Sequence, residues 1–117
     1  MGSRRLGRVT ALKALYLIDI KVNLDIHEVI SLVKENITDS SVVEFAETLV
    51  TGTLDNLMAI DEQIKKHTIN WELDRMAVID RNIMRIATFE MMKIPATPIN
   101  VIIDEAVEIA KEYSTSE

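Results

Sequence analysis

Met76-Ala77-Val78-Ile79-Asp80-Arg81-Asn82-Ile83-Met84-Arg85-Ile86-Ala87 decides the fold class. Its apolar residues at 76, 79, 83, 86 and 87 share one side of a 3.6-residue helix, whereas a strand would scatter them over both faces. The surrounding stretch, Glu72 to Lys93, is predicted to divide into a short turn and a longer helix, and Pro95 ends it. Thr97 is then expected to cap a last helix with Pro98 at its first position, where proline's missing N–H costs nothing. That helix carries Val101, Glu105 and Glu108 on one side and Ile102, Ala106, Ile109 and Ala110 on an apolar side. Upstream, Val42, Phe45, Ala46, Leu49, Thr53, Leu57, Ile60 and Ile64 keep helical spacing from a capping cluster at Asp39-Ser40-Ser41 to a helix end near His67. Gly52 within it either admits a closely packed neighbour or marks a bend. Asp25 caps a shorter helix through about Glu35, with Ile26, Ile30 and Val33 along one side. Ahead of it, Leu6 to Ile20 forms a helix with Ala11, Ala14, Leu15 and Ile18 inward. No segment alternates with period two between turn signals, so the fold class is all-α.

The 117 residues are expected to form a single domain with a basic arm over residues 1–8, large enough to bury a core without cross-links. A 48% hydrophobic content excludes a disordered chain. There is no cysteine, which removes disulfides, thiol nucleophiles and cysteine metal sites and fits a reducing, cytoplasmic location. No apolar run approaches the ~18 residues of a membrane span. Met1-Gly2-Ser3 begins like a myristoylation signal, but Leu6 stands where Ser or Thr is wanted; neither leader nor anchor is read.

Charge is distributed unevenly. Arg4, Arg5, Arg8 and Lys13 precede the first carboxylate, Asp19, in a chain whose net charge is −6. A basic start on an acidic body can bind a polyanion locally, although short basic termini are often just solvated tails. Extended backwards, the inward stripe of the first helix passes through Arg8 and Arg4, and a core does not accept those charges unpaired. The expectation is that this helix begins beyond the packed body, with its arginines in water or on phosphate.

Catalytic and metal sets are not marked out. His27 and His67 are isolated and lack the i, i+4 spacing of a helical metal pair. Gly2, Gly7 and Gly52 form no phosphate-cradling loop, and no Ser-His-Asp or paired-acid motif occurs; neither enzymatic activity nor a cofactor is expected. Asp80 and Glu90 fall on or beside the inward stripe of their helix. The simpler reading makes Asp80 a cap and Glu90 a partner of Lys93 or of an arginine on another helix; the alternative is a polar contact to a protein partner. Met58, Met76, Met84, Met91 and Met92 are read as core filling. Trp71 is expected to plug the junction between halves of the domain, and Tyr16 to lie on the rim near the arm.

Three stretches together resemble the NusB family of transcription antitermination factors. Arg4-Arg5-x-x-Arg8 leading into Ala11-Leu12-Lys13-Ala14-Leu15-Tyr16 resembles its first helix, and Trp71 through Ala87 its most specific motif. Ile102-Ile103-Asp104-Glu105-Ala106-Val107-Glu108-Ile109-Ala110-Lys111 is similar to its penultimate helix. The resemblance implies a compact helical domain of two packed three-helix groups that binds a single-stranded boxA element, especially in ribosomal RNA. Binding would occur with the ribosomal protein NusE, on an RNA polymerase antitermination complex. It assigns the RNA side to Arg4, Arg5, Arg8, Lys13 and Tyr16, and the NusE side to Tyr16, Ile20, Arg75 and Asp80. Arginine suits single-stranded RNA because its guanidinium both binds phosphate and stacks on bases.

Leu6 departs from a third consecutive basic residue. The family pattern also continues past the Ala-Lys helix into a final helix that this sequence lacks, and its loss would invite instability or self-association, for instance as a homodimer. Three alternatives stand beside this reading. One is a NusB-like RNA-targeting accessory domain of an RNA methyltransferase, another a purely protein-binding helical module. A helix-turn-helix DNA binder is disfavoured because no second basic helix follows.

Overall fold

Asp25 and Asp39 act as the spacing of polar residues predicts. Asp25 accepts a hydrogen bond from the N–H of His27 at 3.1 Å, and Asp39 accepts one from the N–H of Ser41 at 2.9 Å. Each satisfies a donor that the first helical turn leaves free. The computed structural model describes residues 2–21, 23–67 and 72–114. Its elements are α1 (Ser3–Ile20), α2 (Ile26–Val33), α3 (Ser40–Asp55), α4 (Leu57–His67), a 3₁₀ turn (Leu73–Arg75), α5 (Val78–Lys93) and α6 (Ile99–Tyr113). No strand occurs among the described residues. Trp71 lies outside them.

Two groups of three helices result. α1 packs on α2 and α3, α5 packs on α4 and α6, and the groups meet where α5 crosses α1 and α3. α1 is therefore enclosed on several sides. Val9, Ala11, Leu12, Ala14 and Leu15 are all buried, and Leu49, Ile60, Ile86, Phe89 and Ile109 complete the core around them. Full burial of each large aliphatic side chain contributes about 1.5–3 kcal/mol, so the middle of α1 is the structural axis.

Three expectations are corrected. The long helix from Val42 to His67 is two, α3 and α4, parted at Asn56, whose φ of −113 and ψ of 18 leave the helical region. The Asn56 side-chain amide and backbone N–H both donate to the Gly52 carbonyl, at 2.8 and 3.1 Å. Pro98, not Thr97, precedes α6: it is extended at ψ 144 with no side-chain cap, and its carbonyl accepts from the N–H groups of Val101 and Ile102. Among the methionines, Met76 and Met84 pack against the core, but Met58, Met91 and Met92 are exposed. No helix among the described residues is long and apolar enough to cross a membrane.

Candidate nucleic-acid and partner interface

α1 begins with the wrong charges for a helix. Its first turn has no acid and Gly2 supplies no capping side chain, while Arg4, Arg5 and Arg8 crowd the positive end of the helix dipole. Contacts from three other helices offset this repulsion. Arg8 reaches across to α5, where its Nε and Nη2 donate to the two Glu90 carboxylate oxygens, both at 2.8 Å. Its Nη1 also lies 3.5 Å from Glu105 of α6. Arg5 forms a two-pronged contact with Glu105, Nε to Oε1 at 3.1 Å and Nη2 to Oε2 at 2.5 Å. Arg4 takes a different partner, its guanidinium sitting 4.2 Å from the centre of the Phe45 ring on α3, within cation–π range.

The helix therefore does not start beyond the packed body, and Arg8 is not held in water. Its side chain is 6% exposed and that of Glu90 1%. The core accepts the guanidinium because a buried carboxylate meets it in bidentate geometry; of the readings for Glu90, pairing with an arginine of another helix is the one realised. Arg4 remains exposed and Arg5 half-buried, and Lys13 is exposed further along α1. A groove of about 510 Å³ opens beside Arg4, bounded by Ser41, Glu44, Phe45 and Thr48 of α3 and by Ile94 and Thr97 of the α5–α6 connection.

A second cluster joins the far end of α1 to α4 and α5. Asp19 accepts from Arg81 at 3.0 Å and from the Asn82 amide at 3.0 Å. Arg85 donates twice to Asp61 of α4 at 2.9 Å and approaches Asp19 at 3.4 Å. Asp19, Asp61, Arg81 and Arg85 were not singled out from the sequence, because their partners lie on different helices and no local motif marks them. This cluster fixes the α1 turn that carries half-buried Tyr16 and 45%-exposed Ile20. Asp80 is not a cap: its carboxylate accepts from the hydroxyl of Ser114, at the end of α6. Arg75 is exposed on the 3₁₀ turn and pairs with Glu72 at 3.1 Å.

Both clusters make the fold acid-sensitive. The hydrogen bond from Arg5, outweighing the opposing effect of burial, holds the Glu105 carboxyl below the usual glutamate range, with the Arg5 and Arg8 charges assisting. At Asp19 burial pushes upward, but hydrogen bonds from Arg81 and Asn82 and the charges of Arg81 and Arg85 leave it below the usual aspartate range. Carboxyls depressed in the folded state contribute stability above their unfolded pKa and lose it as pH falls through their folded values. Urea midpoints should thus hold steady above the ordinary carboxylate range and drop below it. Glu105→Gln should shrink that drop, and an equal drop in the variant would exclude Glu105 as a contributor.

Comparison with known proteins places this geometry among relatives. The model of the NusB family matches residues 5–117. Transcription antitermination protein NusB of Sorangium cellulosum is 38% identical over 117 residues, covering 100% of this chain and 84% of that protein. The T. maritima NusB structure matches with a TM-score of 0.88 and 34% identity, covering 99% of this chain and 81% of that one. A crystal structure of the antitermination factors NusB and NusE in complex with dsRNA matches with a TM-score of 0.87 and 26% identity, over 99% of this chain and 86% of that one.

Proposed function

The chain belongs to the NusB family, and from that premise we propose that its arginine-bearing α1 end binds single-stranded boxA RNA while the Asp19 end of α1 meets NusE. It is a non-enzymatic transcription antitermination factor, binding RNA together with NusE to keep RNA polymerase transcribing, foremost on ribosomal RNA operons in the cytoplasm. The observation that carries this reading is its match, over 99% of its length, to a NusB solved with NusE and RNA.

The local physics agrees with an anion-binding role. Arginines at a helix N-terminus oppose the dipole, and a phosphate placed there would satisfy both at once. Arg4 and Arg5 are the proposed direct RNA contacts, with Lys13 and Tyr16 continuing the surface along α1. Arg8, locked to Glu90, acts by fixing the helix that presents them. Tyr16, Ile20, Arg75 and Asp80 are the proposed NusE contacts, with the Asp19 cluster as their support.

Titration of labelled boxA RNA at several salt concentrations tests the RNA surface. Arg4→Ala together with Arg5→Ala should weaken binding by at least tenfold, and should flatten the dependence of log K on log salt by about 0.7 for each phosphate no longer neutralised. Unchanged affinity and slope would remove these residues from the surface. A purely protein-binding module would instead retain NusE in a pull-down while binding no RNA.

A further inference from the structure

The groove beside Arg4 has a lining that phosphate binding alone does not explain. Arg4 and Glu44 both face it, both are exposed, and neither forms an ion pair among the described residues. Every other arginine described is paired with a carboxylate. Arg4 is braced instead on Phe45, which leaves its guanidinium positioned yet open to a ligand. Glu44 would repel phosphate, since an ionised carboxylate only accepts hydrogen bonds. The hydroxyls of Ser41 and Thr48 already donate to Asp39 and to the Glu44 carbonyl and so offer a ligand acceptor lone pairs, while Thr97 adds a third hydroxyl. A volume of about 510 Å³ lies within the ~300–1,000 Å³ of small-ligand clefts.

We propose that this groove is a base-reading pocket, in which Arg4 stacks on one nucleobase of the bound single strand and Glu44 accepts hydrogen bonds from that base's amino edge. Guanine fits best. Its N1–H and N2–H donors lie side by side and match the two oxygens of a carboxylate, while single-stranded bases expose this Watson–Crick edge. Uracil presents one N–H between two carbonyl oxygens that the carboxylate repels. Stacking on a guanidinium backed by an aromatic ring serves any base, so Arg4 supplies affinity and Glu44 supplies choice.

This assignment rests on the RNA-binding reading above, and its test separates the two. The 117-residue protein is titrated with a short oligouridine, with the same strand carrying one central guanosine, and with inosine in place of that guanosine. Wild type should prefer the guanosine strand about tenfold, as one good bidentate contact provides, and inosine, lacking the 2-amino group, should lose several-fold of that preference. Glu44→Gln should compress the preference to about twofold while tightening binding to oligouridine, because a repulsive charge is gone. Arg4→Ala should weaken binding to every strand. Glu44 is an exposed residue, so its replacement leaves the fold standing. A wild type without preference, or a Glu44→Gln variant that keeps it, overturns the base-reading pocket while RNA binding stands. If neither these strands nor boxA RNA binds while NusE still does, both readings fall.

Discussion

Glu90→Ala should cost about 3–5 kcal/mol of folding stability, the range for removing one partner of a buried ion pair. The alanine leaves the Arg8 guanidinium, on a side chain only 6% exposed, with the 3.5 Å approach of Glu105 and the Phe45 ring 5.5 Å away as its remaining compensation. Against a total stability of about 5–15 kcal/mol, such a loss lowers the melting temperature by on the order of 15 °C. Arg8→Met combined with Glu90→Leu should recover most of it, since apolar side chains of similar volume often replace a buried pair at no net cost. That double variant also separates two roles for Arg8. If Arg8 only positions α1, the refolded protein still binds RNA through Arg4 and Arg5; loss of binding with restored stability would make Arg8 a direct contact. Calorimetry and the RNA titration together read both outcomes.

Gly52→Ala is expected to be nearly as damaging, although alanine is the better helix former by about 1 kcal/mol. A Cβ at position 52 would stand 2.1 Å from Cζ of Phe89 and 2.4 Å from its Cε1. Phe89 is buried and its ring cannot bend, so α3 and α5 must move apart. Overpacking of this kind costs about 1–3 kcal/mol, and the depth of the overlap places Gly52→Ala at the upper end. Adding Phe89→Leu should restore part of the loss in a denaturation series. Equal stability of Gly52→Ala and the parent would mean that the α3–α5 contact adapts freely.

These two sites also mark how far the sequence alone could be read. Caps and stripes are local, so Asp25, Asp39, the turn before α5 and the stop at Pro95 were legible from residue type and spacing. Gly52 was legible as a close approach or a bend, but Phe89 could not be named, because the pairing of α3 with α5 is a tertiary fact. The break at Asn56 was hidden for a related reason. Apolar spacing runs through it from Val42 to Ile64, and the interruption is a backbone turn at Asn56 that the spacing does not register. Glu90 was visible as a carboxylate on an inward stripe, and Arg8 as a cation on another. Their union corrects the picture of a free arginine arm. What remained unreadable was the Asp19, Asp61, Arg81 and Arg85 cluster, whose members join α1, α4 and α5 across long stretches of chain.

The ties of Arg8 to Glu90 and of Arg5 to Glu105 span 82 and 100 residues of chain. During synthesis the arginines leave the ribosome first, at about 5–20 residues per second, and wait several seconds for their carboxylates. Until then α1 has like charges at its positive end and no counterweight. The N-terminal turn of α1 thus gains its counter-charges only once α5 and α6 have been made.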